Sequence, residues 1–555
     1  MDIQATDEQK RILEATGRII KINARAGTGK TTTLCLIAEH NRDKKILYLV
    51  FNKKNRDEAE RIFPPNVKIK TVHAFARFSL SSFGKRFDTD DNFNVCTFLP
   101  YFGKERNRQT LATLSYNFLT FFLNSGFEKL EKAISPYIED CLTEEQKKTF
   151  NHHEKRIIQI TRDFATSWNK NEISCPHDFY LKLSHIKKTF HKELEKFDII
   201  LVDEGQDLSH VMLDSLSHCT KRIVLVGDTH QRIYSFRYAV DAMRIMKCDE
   251  DFALSLSFRF GERIADLVTM FILQSKNETN FKICGYENQK SVVSFYSDLS
   301  IVNQGVKTAI LSRTNMALFK NAMYMRSKKI RFSFERDIKS ELNRTLDVYR
   351  LYRGEKDRIK DGLIQSFDSI EQLDKYAEDV QDFQLSNISK IVKDYADEFP
   401  KAIYEMMKLT KKNEHQNDKD AIVLSTVHAA KGQEYDRVII DQDIVDAISR
   451  TKSINPEQFN DEINVAYVCF TRAKKQLLLP VAFKTVLTPQ WQSYIEKLAF
   501  KSYDRTMSNK THMVKRARNL KPQKNKTGSK PGYWFNAPEK PKKTETSKKI
   551  RLQCL

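Results

Sequence analysis

The stretch Ile19–Thr33, IIKINARAGTGKTTT, decides how the chain reads. Ile19, Ile20 and Ile22 form a short apolar run that predicts a buried strand. The run breaks into Ala24-Arg25-Ala26-Gly27-Thr28-Gly29-Lys30-Thr31, and an apolar helical pattern starts at Thr33. Strand, glycine loop and helix are the setting of a phosphate-binding loop. Ala24 stands at the first position of the G-x-x-x-x-G-K-[ST] pattern, a small residue able to fill the same turn. Gly27 and Gly29 let backbone N–H groups curl round a phosphate. Lys30 would reach the β- and γ-phosphates, and the Thr31 hydroxyl would hold Mg²⁺. An ordinary strand-to-helix turn is the plain alternative.

The 555 residues suffice for several cores. Hydrophobic residues make up 40% and charged residues 30%, and no run of about 18 apolar residues occurs, so no membrane association is expected. The polar N-terminus predicts no secretory signal. Nine scattered cysteines, none in C-x-x-C, predict reduced thiols in a cytoplasmic, nucleoid or nuclear setting. The net charge of +21 is uneven: residues 501–555 hold 16 Lys/Arg against 3 Asp/Glu, a net +13. That tail is rich in Lys, Pro, Ser and Thr and predicts disorder. Solvated disorder, salt-sensitive phosphate binding, recruitment of protein partners, and a nuclear-localisation signal around Lys515–Lys526 in a eukaryotic host are its open readings.

Outward from the loop the pattern is α/β. A helix is expected around Glu8–Ala15, a strand at Ile46–Phe51 and a helix at Asp57–Phe63. Residues 77–196 read as helical. Strands resume at Phe197–Val202 and Ile223–Val226. A second α/β set starts near Gly261, with strands at Thr308–Leu311, Ala421–Leu424, Val438–Ile440 and Leu477–Leu479. The charged, helical span 322–420 interrupts it. The expected domains are therefore 1–76 with 197–260, a helical insertion at 77–196, a second core at 261–321 with 421–500, a second insertion at 322–420, and the tail at 501–555.

Two further stretches carry chemistry. Asp203-Glu204-Gly205-Gln206-Asp207 follows directly on a hydrophobic strand. There Asp203 would hold Mg²⁺ and Glu204 would deprotonate an attacking water. The strand Ile223–Val226 runs into Gly227-Asp228-Thr229-His230-Gln231-Arg232-Ile233-Tyr234-Ser235-Phe236-Arg237. Gln231 is placed to sense a γ-phosphate. Tyr234, Phe236 and Arg237 read either as core packing or as a stacking platform for unpaired bases.

Taken in order, these motifs resemble the UvrD/Rep superfamily 1 DNA helicases, and within them the F-box DNA helicase branch. The matching stretches are Thr6-Asp7-Glu8-Gln9, the phosphate loop, Phe51-Asn52-Lys53-Lys54-Asn55, Thr71-Val72-His73-Ala74-Phe75, DEGQD, GDTHQRIYSFR, Ser257-Phe258-Arg259-Phe260-Gly261, Ser312-Arg313-Thr314-Asn315, Thr426–Glu434 (TVHAAKGQE) and Asn464–Lys474 (NVAYVCFTRAK). The resemblance implies two RecA-like P-loop NTPase cores with parallel sheets. It implies ATP and Mg²⁺ as cofactors and single-stranded, tailed or forked duplex DNA as partner. It further implies 3′→5′ movement in repair, recombination control, replication or defence. Carried over position by position, Gln9 would read adenine and Phe258 would stack on it, with Ala24, Gly27, Thr28, Gly29, Lys30, Thr31 and Thr32 around the nucleotide. Arg259 and Arg472 would reach the γ-phosphate from the second core, and Glu434 the ribose. Phe51, Asn52, His73, Tyr234, Phe236, Arg237 and His428 would meet DNA.

The chain departs from the pattern in places. Gly205 replaces the commoner Ala of DEAQD. Thr32 stands where several bacterial relatives carry Arg over the adenine, so that stacking contact is expected to be missing. The second insertion is shorter than in UvrD, which makes translocation a firmer expectation than unwinding. There is no room before Gln9 for an F-box, and no RecB-like nuclease motif is present, so neither a ubiquitin-ligase nor a nuclease role is expected. An ATP-gated DNA clamp or scaffold is the competing class, but such a protein would usually lose Lys30, Glu204 or Arg472, and all three are present. An RNA helicase of the same superfamily is a third reading. Nothing in the sequence speaks to oligomeric state.

Overall fold

A computed structural model describes residues 4–82, 84–90, 92–234, 238–299, 306–395, 399–412, 421–452 and 456–486. Phe236, Arg237 and the whole basic tail, on which several expectations rest, lie outside the described residues.

Two six-stranded sheets organise the chain, and every strand pair in both is parallel. The first runs, edge to edge, Val67–Thr71, Ile46–Val50, Ile199–Val202, Arg222–Gly227, Ile19–Ala24, Glu250–Leu254. The second runs Phe332–Phe334, Ile422–Thr426, Thr308–Ser312, Tyr435–Ile440, Ala473–Pro480, Val292–Tyr296. Parallel strands need crossover connections, and the crossing helices cover both faces. Ile46–Val50 and Ile199–Val202 are accordingly apolar at every position. On the first sheet Leu47, Leu49, Ile200 and Leu225 face one core, while Tyr48, Val50, Leu201 and Val224 face the other. On the second, Ala309, Leu311 and Val438 face one core and Ile310, Leu424 and Ile439 the other.

All eight strands expected from apolar runs form, and each is internal to its sheet. Within these two sheets the four strands absent from the pattern reading are the four edge strands, and a short antiparallel pair, Leu208–Ser209 with Ala239–Val240, is absent from that reading as well. Val67–Thr71 is half-buried along its whole length, and Glu250–Leu254 begins with two acids. An edge strand is covered on fewer sides, so it needs no continuous apolar run. Phe332–Phe334 lies inside the span 322–420 but pairs with Ile422–Leu424, so the second sheet extends into that interval. The helix expected at Asp57–Phe63 starts earlier, at Lys53, because the Asn52 side chain accepts from Asn55 N and caps it there.

Helices fill the chain between Thr71 and Ile199, the longest being Glu144–Asn169, capped by a Thr143/Gln146 capping box. A second group runs from Lys339 to Lys412. The two groups touch. Gln109 Nε2 donates to Ser366 O at 2.8 Å, Gln146 Nε2 to Asp379 O at 2.9 Å, and the Thr113 and Tyr376 hydroxyls lie 2.8 Å apart. Among the described residues no helix is long and apolar enough to cross a membrane.

Where the first sheet hands over to the second, backbone lies on backbone. Tyr286 N donates to Phe260 O at 2.8 Å, and a Cβ on Gly261 would sit 1.8 Å from Gln289 O. No side chain is free to yield there. Gly261→Ala should therefore destabilise the protein by about 2–3 kcal/mol, read as a lower melting temperature. Gly126→Ala, whose nearest neighbour would be 3.9 Å away, should leave it unchanged. Equal melting temperatures would contradict the close approach.

Candidate nucleotide and strand-binding cleft

The phosphate loop links the strand Ile19–Ala24 to the helix Lys30–His40. Gly27 and Gly29 hold φ of +76° and +79°, which a side chain disfavours. A Cβ on Gly27 would also meet Ser257 Oγ at 2.6 Å. Ala24 is fully buried, and Thr28 turns its hydroxyl back to Arg25 O at 2.8 Å. Gln9 is buried in a different helix, Asp7–Leu13, capped by Thr6. Its Oε1 accepts from Thr6 N at 3.0 Å and its Nε2 donates to Thr33 Oγ1 at 2.9 Å. Phe258 N donates to Gly27 O at 2.9 Å, while the Phe258 ring is 45% exposed beside Tyr286. The Phe258 ring, Gln9 and Thr32 all lie against Gly29. A half-exposed aromatic beside the loop is thus available to a base.

Lys30 points at the acidic strand end. Its Nζ lies 3.2 and 3.3 Å from the two Glu204 oxygens. Burial opposes the Lys30 charge, but Glu204, Asp203 and Asp228 outweigh it and hold the ammonium above its ordinary pKa. Burial would raise the Glu204 carboxyl, yet Lys30 and Lys431 pull it down to about 2. Asp203 moves the other way: burial and then the Glu204 charge raise it. Its oxygens accept from Tyr48 Oη and from Glu204 N, both at 2.8 Å. Glu204 itself has φ +53°, a left-handed conformation costing a non-glycine residue about 1 kcal/mol. A Cβ on Gly205 would meet Leu225 at 2.8 Å and Met243 Sδ at 2.9 Å, which accounts for glycine where Ala is commoner.

Among the described residues no cluster of three or more His, Cys, Asp or Glu forms a self-contained metal cage. Mg²⁺ instead suits a site with one or two carboxylates completed by substrate phosphates. Asp203, with Thr31 within reach of the same Tyr48 hydroxyl, fits that description.

The other core supplies the far wall. Arg259, which follows the edge strand Glu250–Leu254 of the first sheet and not a strand of the second, meets that wall: its Nε donates to Glu434 Oε1 at 2.7 Å and its Nη1 to Thr471 O at 2.9 Å. Glu434 is therefore paired with this arginine. Arg472 is 2% exposed, and its guanidinium donates to Val468 O, Gln433 O and Thr471 Oγ1. Burial and the neighbouring Arg259 both press against its charge. Gln231 is buried with its amide on Asp228 Oδ2 at 2.9 Å, while its carbonyl accepts from Lys431 at 2.9 Å.

A second cluster lies on the aromatic side of Lys431. The rings of Phe51 and Tyr234 are nearly parallel, at 12°, with centroids 6.4 Å apart. The His428 ring lies 6.0 Å from Tyr234, and Lys431 Nζ sits 4.8 Å over the Tyr234 ring while pairing with Asp207 at 2.5 Å. Asn52 caps its helix from an exposed position. His73 is apart from this group: its Nε2 pairs with Asp178 at 3.0 Å. Tyr48, Asp207, Lys431 and Tyr467 are the contacts that motif reading left unassigned. Lys431 and Tyr467 lie inside quoted motifs, and Tyr48 is a lone hydroxyl in an aliphatic strand.

His428 Nε2 donates to Ile233 O at 3.1 Å across the cleft. Burial and the Arg313 guanidinium push its pKa down to about 4, against the weaker pull of that hydrogen bond. Below pH 6.5 the unfolded chain binds this proton and the folded chain does not, so stability falls as pH drops from 6.5 to 4, by roughly 3 kcal/mol at most. His428→Gln keeps an N–H donor and should flatten the urea midpoint over that window. An unchanged pH slope would show that the imidazole titrates freely in the fold.

The UvrD/REP helicase N-terminal domain family matches residues 5–253, and the UvrD-like helicase C-terminal domain family matches residues 421–479. The chain is 30% identical over 525 residues to F-box DNA helicase 1 of Gallus gallus, covering 88% of this chain and 50% of that protein. It is 28% identical over 528 residues to F-box DNA helicase protein 1 of Schizosaccharomyces pombe, covering 85% and 57%. A probable DNA helicase II homolog of Mycoplasma genitalium is 27% identical over 315 residues, covering 51% and 43%. The chain thus spans about half the length of the curated relatives it matches. Both family matches fall on the two parallel-sheet cores that wall the cleft, and the chain belongs to the UvrD/Rep-like helicase family.

Proposed function

We propose that the chain is an ATP-driven motor that moves 3′→5′ on single-stranded DNA and separates strands on meeting a tailed or forked duplex. The observation that carries this reading is the composite cleft. Lys30 and Glu204 stand on one core, Arg259 and Glu434 meet across the cleft, and Lys431 joins the acidic strand end to the Phe51–Tyr234–His428 cluster.

The residues divide the work by charge. Glu204, pulled down to about 2 by cations, is a weak base. A triphosphate offers Lys30 a stronger anionic partner than one carboxylate. As Lys30 turns to it, Glu204 loses a cation, its pKa climbs, and it can take a proton from the attacking water. Thr31 and Asp203 would hold Mg²⁺, which when bound supplies positive charge to the phosphoryl oxygens. Arg259 would exchange Glu434 for phosphate. Arg472 would do the same once the cores close and its carbonyl partners release it.

The Phe51 and Tyr234 rings, nearly parallel with centroids 6.4 Å apart, offer aromatic faces on which unpaired bases would stack. Lys431 touches both Asp207 and Tyr234, so a change in charge at the acidic strand end reaches the stack through one side chain. Closure would grip the strand and opening would let it slip by one step. Repair, recombination control or replication are natural settings for such a motor.

Lys30→Ala and Glu204→Gln should each lower DNA-stimulated ATP hydrolysis at least about 100-fold while single-strand binding survives. Turnover should be stimulated by single-stranded DNA above RNA or no polymer, and duplexes with a 3′ tail should be unwound ahead of those with a 5′ tail. Near wild-type turnover in either variant would sink the mechanism. Full ATPase without strand movement would favour the clamp.

A further inference from the structure

Tyr467 is a fully buried residue of the helix Pro456–Phe470, which belongs to the second core, yet its hydroxyl lies in the first. The hydroxyl accepts from the backbone N–H of Ala26, in the phosphate loop, at 3.2 Å and donates to Asp228 Oδ2 at 2.7 Å. Each is a hydrogen bond of ordinary length, and together they use the hydroxyl as both acceptor and donor. The ring is wedged against Phe281 at 6.0 Å and His230 at 5.6 Å, so the hydroxyl is aimed by packing. Asn464, one turn earlier on the same helix face, donates to Arg232 O at 2.9 Å.

Asp228 is where this contact becomes consequential. It is fully buried, and its Oδ2 takes the Gln231 amide as well as the Tyr467 hydroxyl. Its Oδ1 accepts from His230 N at 3.2 Å and lies 3.9 Å from the Arg25 guanidinium. Its own N–H donates to Gln206 Oε1 at 2.9 Å, and Gln206 donates to Glu204 Oε2 at 2.5 Å. Asp228 thus joins Gln231, through its carboxylate, to the support of Glu204, through its backbone N–H. At its other end the Tyr467 turn leads straight to Arg472. Thr471 Oγ1 donates to Tyr467 O at 2.9 Å, Arg472 Nε donates to Val468 O at 3.1 Å, and Thr471 O accepts from Arg259.

We propose that Tyr467 is a positioning residue for hydrolysis: its hydroxyl transmits the position of the Arg472-bearing turn to Asp228, and through the shared Oδ2 to Gln231. This rests on the ATPase reading of the cleft. When the helix shifts as the cores close, the hydroxyl shifts with it, and Asp228 must re-aim Gln231 or lose a donor in a dry site. Arginine and glutamine therefore arrive at the phosphate in step. Tyr467→Phe keeps the ring and removes the hydroxyl's two bonds, to Ala26 N–H and to Asp228 Oδ2.

The test compares wild type, Tyr467→Phe, Asp228→Asn and the double variant, each as the full chain with single-stranded DNA. The expected result for Tyr467→Phe is a kcat about tenfold lower, with KM for ATP, the Kd for a fluorescent ATP analogue and the melting temperature all within twofold or 2 °C of wild type. The double variant should turn over within twofold of Asp228→Asn alone, because the hydroxyl acts through that carboxylate. A kcat within twofold of wild type overturns the proposal. So does a multiplicative loss in the double variant, a matched loss in KM, or a melting temperature lowered by more than about 5 °C, which would make the hydroxyl a structural tie. If wild-type turnover is not stimulated by DNA, the motor reading fails. The Tyr467 comparison is then read on DNA-independent turnover.

Discussion

A carboxylate taken out of water needs a cation or several donors, and two of the buried acids in this cleft draw on the opposite core. Asp207, on the first core, is paired by Lys431 of the second, and Asp228 adds the hydroxyl of Tyr467 to donors from its own core. Arg259 in turn finds Glu434 and Thr471 O in the second core. Leaving Asp207 buried without Lys431 would cost about 3–5 kcal/mol. The two sheets are therefore held together by the chemistry of the cleft itself. A ligand that supplies new charge, such as a triphosphate, would compete for those partners and thereby act on the interface.

That arrangement explains why the tethered state of the arginines is informative. Arg259 and Arg472 are fully engaged with Glu434, Thr471, Val468 and Gln433. Lys30 and Glu204 neutralise each other in the same way. Each functional charge is held by a partner it can exchange for phosphate, so it is never stranded in a dry site. Tyr48 and Tyr467 work differently: neutral hydroxyls aimed by packing, they orient Asp203 and Asp228 without adding charge. Orientation and neutralisation are thus assigned to different residue types.

The internal strands were legible because burial on both faces demands unbroken apolar runs, as in Ile46–Val50 or Ile199–Val202. The edge strands were not, because half-exposed positions tolerate the lysines of Val67–Thr71 and the acids of Glu250–Leu254. In the cleft, glycines and charges at strand ends announce themselves by type and spacing, and Lys30, Glu204 and Gln231 could be picked out from Gly27, DEGQD and GDTHQ. Which partner each charge takes is set by contacts between residues over 150 positions apart, as Lys30–Glu204 and Arg259–Glu434 show. No local spacing encodes that. A lone Tyr in an aliphatic strand or a core helix looks like packing until its hydroxyl is seen to have partners.

Nucleotide, by competing for the charges that join the cores, would move one core against the other. Spin labels at Ile62 on the first core and Val481 on the second, both exposed, allow the separation to be read by double electron–electron resonance. The distance distribution should shift on adding a non-hydrolysable ATP analogue with single-stranded DNA, and shift back with ADP. Identical distributions in all three states would contradict that movement.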